Sequence, residues 1–383
     1  MRFPNLRALA TALILGSATV GGAVLVSTPA VEAAARPQVG NLLKQAIAMA
    51  QGGNVSGAEA KVRQAESVGG LTAGDNQAIA QVRAFVEAKS PNSSTGSLAK
   101  FSSDYNAGRY SSVVGEDVDL LRKAGKYGYE QEVIVAQAYY LMGRCQQAIS
   151  MLQGLASGAH ASEQVLSVLY SAAYKCGDND AMRSALQRLV QISNNPKYWS
   201  DLIQSAQGAR GIRDHQLLDL YRLAVLANAL KSKEDYETSA ELAIEFHSSA
   251  EAQAIIQKGL DAKMLSGDRD MRLLSTAKGQ AAADAAALPK TVAAANAAKT
   301  GDLSIELGEQ YRSMGRYPDA INAIEAGLKK GATDKDDAQI LLGITYFNAG
   351  QKHEALDALN AVPASDSGNG LVAHLWSLYI RTH

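Results

Sequence analysis

Proline is scarce in this chain: 8 residues in 383, against 33 glycines. Abundant alanine and glycine with so little proline suit closely packed helices. No stretch alternates apolar and polar residues for long enough to read as a strand. There is also no excess of either charge, with 37 basic and 38 acidic residues and a net charge of −1. No basic cluster with interleaved aromatics appears, so nothing favours nucleic acid as a partner. The six histidines never pair three or four apart beside a carboxylate, as a helical metal site requires. No glycine-rich phosphate loop joins a strand to a helix, and no cofactor is expected. What is present is apolar matter, 47% of residues, ample for a core.

The one long apolar run lies at the N-terminus. Arg2 and Arg7 precede a largely apolar stretch from Ala8 to Val26, and Ala33, Ala34 and Ala35 then offer a small-residue cleavage site. The pattern predicts a signal peptide over residues 1–35 and a periplasmic protein without a membrane span after cleavage. An uncleaved anchor is the alternative, because the run approaches the length of a span.

Further on, one pattern is written twice. Leu307, Gly308, Tyr311, Gly315, Tyr317, Ala320 and Ile324 are answered by Leu342, Gly343, Tyr346, Gly350, Ala355 and Leu359, 35 residues later. A fixed period of this size with two helices per unit marks a stacked helical repeat. Glycine inside a helix costs about 1 kcal/mol against alanine, which makes sense where a neighbouring helix crosses close by. Ala320 and Ala355 would be the opposing small residues, Tyr311 and Tyr346 the buried fill. Ala136, Tyr139, Gly143, Ala148 and Leu152 match position for position, and turn glycines recur at Gly108, Gly143 and Gly177.

The pattern resembles the tetratricopeptide repeat, strongly at 302–363 and 130–190 and loosely elsewhere. The resemblance implies an all-α, helical-hairpin solenoid. A degenerate helical segment is expected at 36–90, a linker at 91–97, and the solenoid at 98–383 with a C-terminal capping helix from Val372 to Ile380. The alanine-rich stretch 281–298 reads as helix, with Pro289 opening a new one; a low-complexity linker is the other reading. Asp334, Asp336 and Asp337 read as a solvated helix start. Tyr198 to Leu202, Leu218 to Leu230 and Asp235-Tyr236 look like a bacterial exported subfamily, some members of which are associated with TonB-type energy transduction.

In the resembled family the first helix of each repeat lines a concave groove. Carried over, that places Val133, Gln137, Tyr140, Leu141, Val168 and Lys175 in one part of the groove. Ile305, Glu309, Arg312, Ile340, Ile344, Phe347 and Asn348 would line another. Tyr140 and Phe347 would be anchors, or they would simply pack against adjacent repeats. Cys145 opens a second helix and Cys176 closes the next first helix. Those helices should be antiparallel neighbours, so the two thiols either bridge or fill the core separately.

The expected function is therefore a non-catalytic periplasmic scaffold that binds a protein or peptide in its groove. The alternative is a structural accessory of a cell-envelope machine that binds through its N-terminal or convex surface. An envelope hydrolase is a third reading. Ser97-Leu98-Ala99-Lys100, Ser193-Asn194-Asn195 and Lys299-Thr300-Gly301 follow the order of the penicillin-binding signature. That chemistry would need the last triplet on a strand edge, whereas here it ends an alanine-rich helix.

Overall fold

The computed structural model describes residues 35–90, 94–157, 161–193, 195–365 and 368–383. The expected export segment therefore lies outside the described residues, apart from Ala35, which packs against the first core cluster. The chain divides into two compact units, one ending at Asp178 and the other running from Asn179 to His383. Among the described residues every regular element is a helix.

The first unit begins with three helices, α1 (Pro37–Gln51), α2 (Val55–Glu66) and α3 (Ala73–Lys89). They share a core of Val39, Leu43, Ala58, Val62, Val82 and Phe85. Thr72 and Asp75 cap α3 reciprocally, and Asp75 also accepts from the Arg36 backbone and guanidinium. Next come α4 (Ser94–Asn106), α5 (Tyr110–Val113), α6 (Glu116–Lys123) and α7 (Tyr129–Leu141), packed around Phe101, Tyr105, Leu121 and Val135. Of the linker expected at 91–97, residues 94–97 are instead the opening turn of α4. α8 (Cys145–Ser157) and α9 (Glu163–Cys176) complete the unit.

The second unit opens with α10 (Asn179–Ile192) and α11 (Pro196–Gln207). It continues with α12 (Asp214–Leu226), α13 (Lys233–Glu245), α14 (Ser249–Asp261) and α15 (Asp268–Ala297). The last helices are α16 (Asp302–Ser313), α17 (Tyr317–Lys330), α18 (Lys335–Asn348), α19 (Lys352–Asn360) and α20 (Gly368–Thr382). From α12 to α20 each helix packs on the next.

The repeat residues do what their spacing predicts at two crossings. A Cβ on Gly343 would stand 2.6 Å from Leu359 Cγ and 3.1 Å from the Ala355 carbonyl, and Gly308 meets Ile324 and Ala320 in the same way. Ala320 and Ala355 are fully buried. Gly315 and Gly350 close α16 and α18 with φ of 73° and 79°, the left-handed geometry that favours glycine. The tyrosines differ from expectation. Tyr311 and Tyr346 are half-buried, with the Arg316 guanidinium 4.4 Å over the Tyr311 ring and the Tyr346 hydroxyl donating to Glu325 at 2.5 Å. A phenol hydroxyl needs a polar partner, and the hairpin rim supplies one.

Two further expectations are corrected. Pro289 opens no new helix: α15 runs through it unbroken for 30 residues. Proline costs about 3 kcal/mol inside a helix, and the flanking alanines, the best helix formers, offset it. The C-terminal helix is also more than a cap. α20 lies against α18 and α19, and it reaches α12 and α10 at the other end of the unit. Trp376, fully buried, donates its indole N–H to the Asp219 carbonyl at 3.0 Å, and the Tyr379 hydroxyl donates to the Leu226 carbonyl at 3.2 Å. The helix carries apolar residues all round, including Leu371, Val372, Leu375, Leu378 and Ile380, all buried. Such a helix belongs inside a fold.

Candidate functional site

In the first unit, α7 lies beside α9 and packs on α8. Val133, Gln137 and Val168 are buried. Gln137 accepts from the Tyr105 hydroxyl at 3.1 Å, so its polar end is spent on internal packing. Leu141 is half-buried against the cluster of Phe101 and Tyr105. Tyr140 and Lys175 come together: the exposed Lys175 ammonium stands 4.8 Å over the Tyr140 ring, a cation–π contact. Burial pushes the Tyr140 phenol up from its ordinary value. Of the six residues expected here, only Lys175 is exposed; Leu141 is half-buried, and Tyr140 is buried beneath the Lys175 ammonium.

The ends of these helices are fixed covalently. Cys145, at the start of α8, is bridged to Cys176, at the end of α9, with Cα atoms 5.8 Å apart. The bridge chooses between the two readings of the sequence. It anchors the turn that carries Lys175.

In the second unit the expected groove is filled from within. Ile340 and Ile344 are buried, and Phe347 is half-buried with its ring edge-on to Trp376 at 6.2 Å and to Tyr379 at 6.0 Å. Ile305 packs instead in the hairpin of α16 and α17, against Gly327. Glu309 and Arg312 are buried in an ionic cluster built by successive first helices. Arg222 on α12 reaches Asp219 at 2.7 Å, Glu251 on α14 at 2.9 Å, and Glu309 on α16. Arg312 reaches Glu251 at 2.5 Å and Glu309 at 2.8 Å, and the Ser248 hydroxyl donates to Glu309. Burial opposes the Glu309 charge, but the two guanidiniums hold its pKa down at about 2. Asp219, with a single guanidinium beside it, is pushed up by burial to about 6. Unpairing one member of such a cluster costs about 3–5 kcal/mol. Beside it lies a cavity of about 210 Å³, lined in part by Ile344, Asn348, Arg312 and Trp376.

Glu309, Arg312, Ile340 and Ile344 are thus buried within the second unit. The sequence signal for Arg222 and Asp219 was present: two opposite charges three residues apart within the otherwise largely apolar run from Leu217 to Leu226.

The fold is made of tetratricopeptide-like helical hairpins, with small residues where the helices cross and left-handed glycines where they turn. No protein-family model matches the chain, and no curated protein does. Among solved structures it is similar to a tetratricopeptide repeat protein from Parabacteroides merdae. The identity is 12%, over 89% of this chain and 98% of that one, with a TM-score of 0.24. A thermophilic tetratricopeptide repeat protein from Thermus thermophilus is 13% identical over 66% of this chain and 95% of that one, with a TM-score of 0.19. Scores this low carry no weight as to overall shape.

The hydrolase signature does not assemble as such chemistry requires. Lys100 bonds Asp104 at 2.9 Å and Asp117 at 2.5 Å. Burial works against its charge, but the two carboxylates raise its pKa, so the amine stays protonated and cannot serve as a base. Lys299-Thr300-Gly301 lies between α15 and α16, on no strand. Among the described residues no group of three or more His, Cys, Asp or Glu could hold a metal ion, and no helix is long and apolar enough to cross a membrane.

Proposed function

We propose that this protein is an exported, non-catalytic scaffold that binds a protein or peptide partner on the first-helix face of its first unit, around Tyr140, Leu141 and Lys175. The observation that carries this reading is the Tyr140–Lys175 pair beside the disulfide. An aromatic ring and a cation held on rigid helices are the side-chain chemistry that dominates interfaces. Rigidity lowers the entropy lost on binding. The corresponding face of the second unit is taken up by α20, so its residues serve as a framework. The disulfide also supports export, because such bonds persist in oxidising compartments.

A photo-crosslinking residue placed at Lys175 should capture a defined envelope protein or peptide. Its binding to purified protein should weaken at least tenfold in a Tyr140→Ala, Lys175→Glu variant with an unchanged circular dichroism spectrum. Unaltered binding in that variant would remove the assignment. Crosslinks confined to residues 37–89 would favour the accessory reading, in which the N-terminal helices make the contact.

A further inference from the structure

The N-termini of α12, α18 and α20 meet at one polar cluster. Asp334 is the N-cap of α18, its Oδ1 accepting from the Asp337 backbone N–H at 3.1 Å. The Oδ2 atoms of Asp334 and Asp337 both accept from the same nitrogen of Arg213, at 2.6 and 3.1 Å. The buried Gln216 amide donates to Asp337 and, at 2.5 Å, to the Asn369 carbonyl oxygen on α20. Asn369 in turn donates to Asp334 at 3.4 Å, and the Gly368 N–H donates to the Arg210 carbonyl at 3.2 Å. Asp334 and Asp337 thus hold the start of α20 to the start of α12.

Two carboxylates share one cation here, and that cation is 60% exposed, so water screens its charge. The carboxylates are better covered, Asp337 at 18% side-chain exposure. If both were ionised, like charges would crowd a partly buried site with half the compensation they need. We propose that the site is an acid-strengthened clasp: a proton retained at Asp337 keeps α20 seated against α12, and its loss loosens that helix.

The titration behaviour agrees in direction. Burial and the neighbouring Asp334 charge push Asp337 up to about 7 against the opposing pull of Arg213. A carboxyl whose pKa is higher when the clasp is closed holds a proton that the open form releases. The closed form is therefore favoured below neutrality and loses that advantage as pH rises through about 7. The other ionisable groups facing the cluster can be told apart. Burial lowers the pKa of His215, also on α12, so its titration favours the closed form as pH rises, the opposite sign. Asp219 beneath α20 has the same sign as Asp337 but titrates near 6. Across pH 6 to 8 it changes the opening equilibrium only about twofold, against about tenfold for Asp337.

Hydrogen exchange of the full-length protein at pH 6 and pH 8, corrected for intrinsic rates, tests this on peptides from 368–382. From Asp337 and Asp219 together the wild type should open about twentyfold more at pH 8. Asp337→Asn, a neutral isostere of the protonated acid, should reduce that change to about twofold and leave peptides of α1 unaffected. An equal pH response in the two proteins overturns the proposal. So does tighter protection of α20 at pH 8 in the wild type, a result that needs no variant.

Discussion

Truncating Trp376 to alanine tests the placement of α20 more directly than any other change. The indole is fully buried and donates to the Asp219 carbonyl. Phe347 meets it edge-on, and Ile344 shares the cavity beside it. Replacing a large buried aromatic by alanine costs about 3–5 kcal/mol, because the surroundings collapse only in part. The lost hydrogen bond leaves a carbonyl without its partner and adds about 1 kcal/mol. The expected loss is therefore about 4–6 kcal/mol in the unfolding transition of the second unit. Urea titration followed by far-ultraviolet circular dichroism, resolved from the first unit by hydrogen exchange, measures it. Trp376→Phe keeps most of the packing and should cost less than half as much. A loss below about 1 kcal/mol for Trp376→Ala would mean that α20 sits on the outside as a simple cap, and the closed second unit would be wrong.

Two predictions concern backbone and covalent constraints. Gly343→Ala should destabilise by about 1–3 kcal/mol, because its new methyl meets Leu359 and the Ala355 carbonyl. Gly279→Ala, in open space on α15, should stabilise by up to about 1 kcal/mol; thermal melting of both variants gives the two signs. Thiol counting on unfolded, unreduced protein should find no free cysteine. Reduction should cost the first unit about 4 kcal/mol for a loop closed between residues 31 apart, so an unchanged melting curve in reductant would count against a stabilising bridge.

Much of the architecture was legible in the chain because its determinants are local. A glycine three residues before a tyrosine, with an alanine 12 residues after the glycine, fixes one helix crossing. The same spacing 35 residues on fixes the next. The nearness of the two cysteines was readable for the same reason, though not the bridge itself: the start of one helix and the end of the next lie on one edge. Tyr311 and Tyr346 were placed on the correct helices but too deep, since spacing reports which face a residue occupies and not where its hydroxyl finds water. Pro289 was misread because one local rule, that proline starts helices, met a stronger one in the alanines around it.

The sequence by itself determined that this is a helical chain of stacked hairpins, where the hairpins turn, and which small residues let them approach. Only the tertiary structure decided that α20 turns inward to meet α12, that Arg222, Glu251, Glu309 and Arg312 converge on one cluster, and that Asp334 and Asp337 face Arg213 from a distant part of the chain. Each of those contacts depends on the angles of several successive hairpins added together. Small rotations at each crossing accumulate, and no pattern within 35 residues encodes their sum.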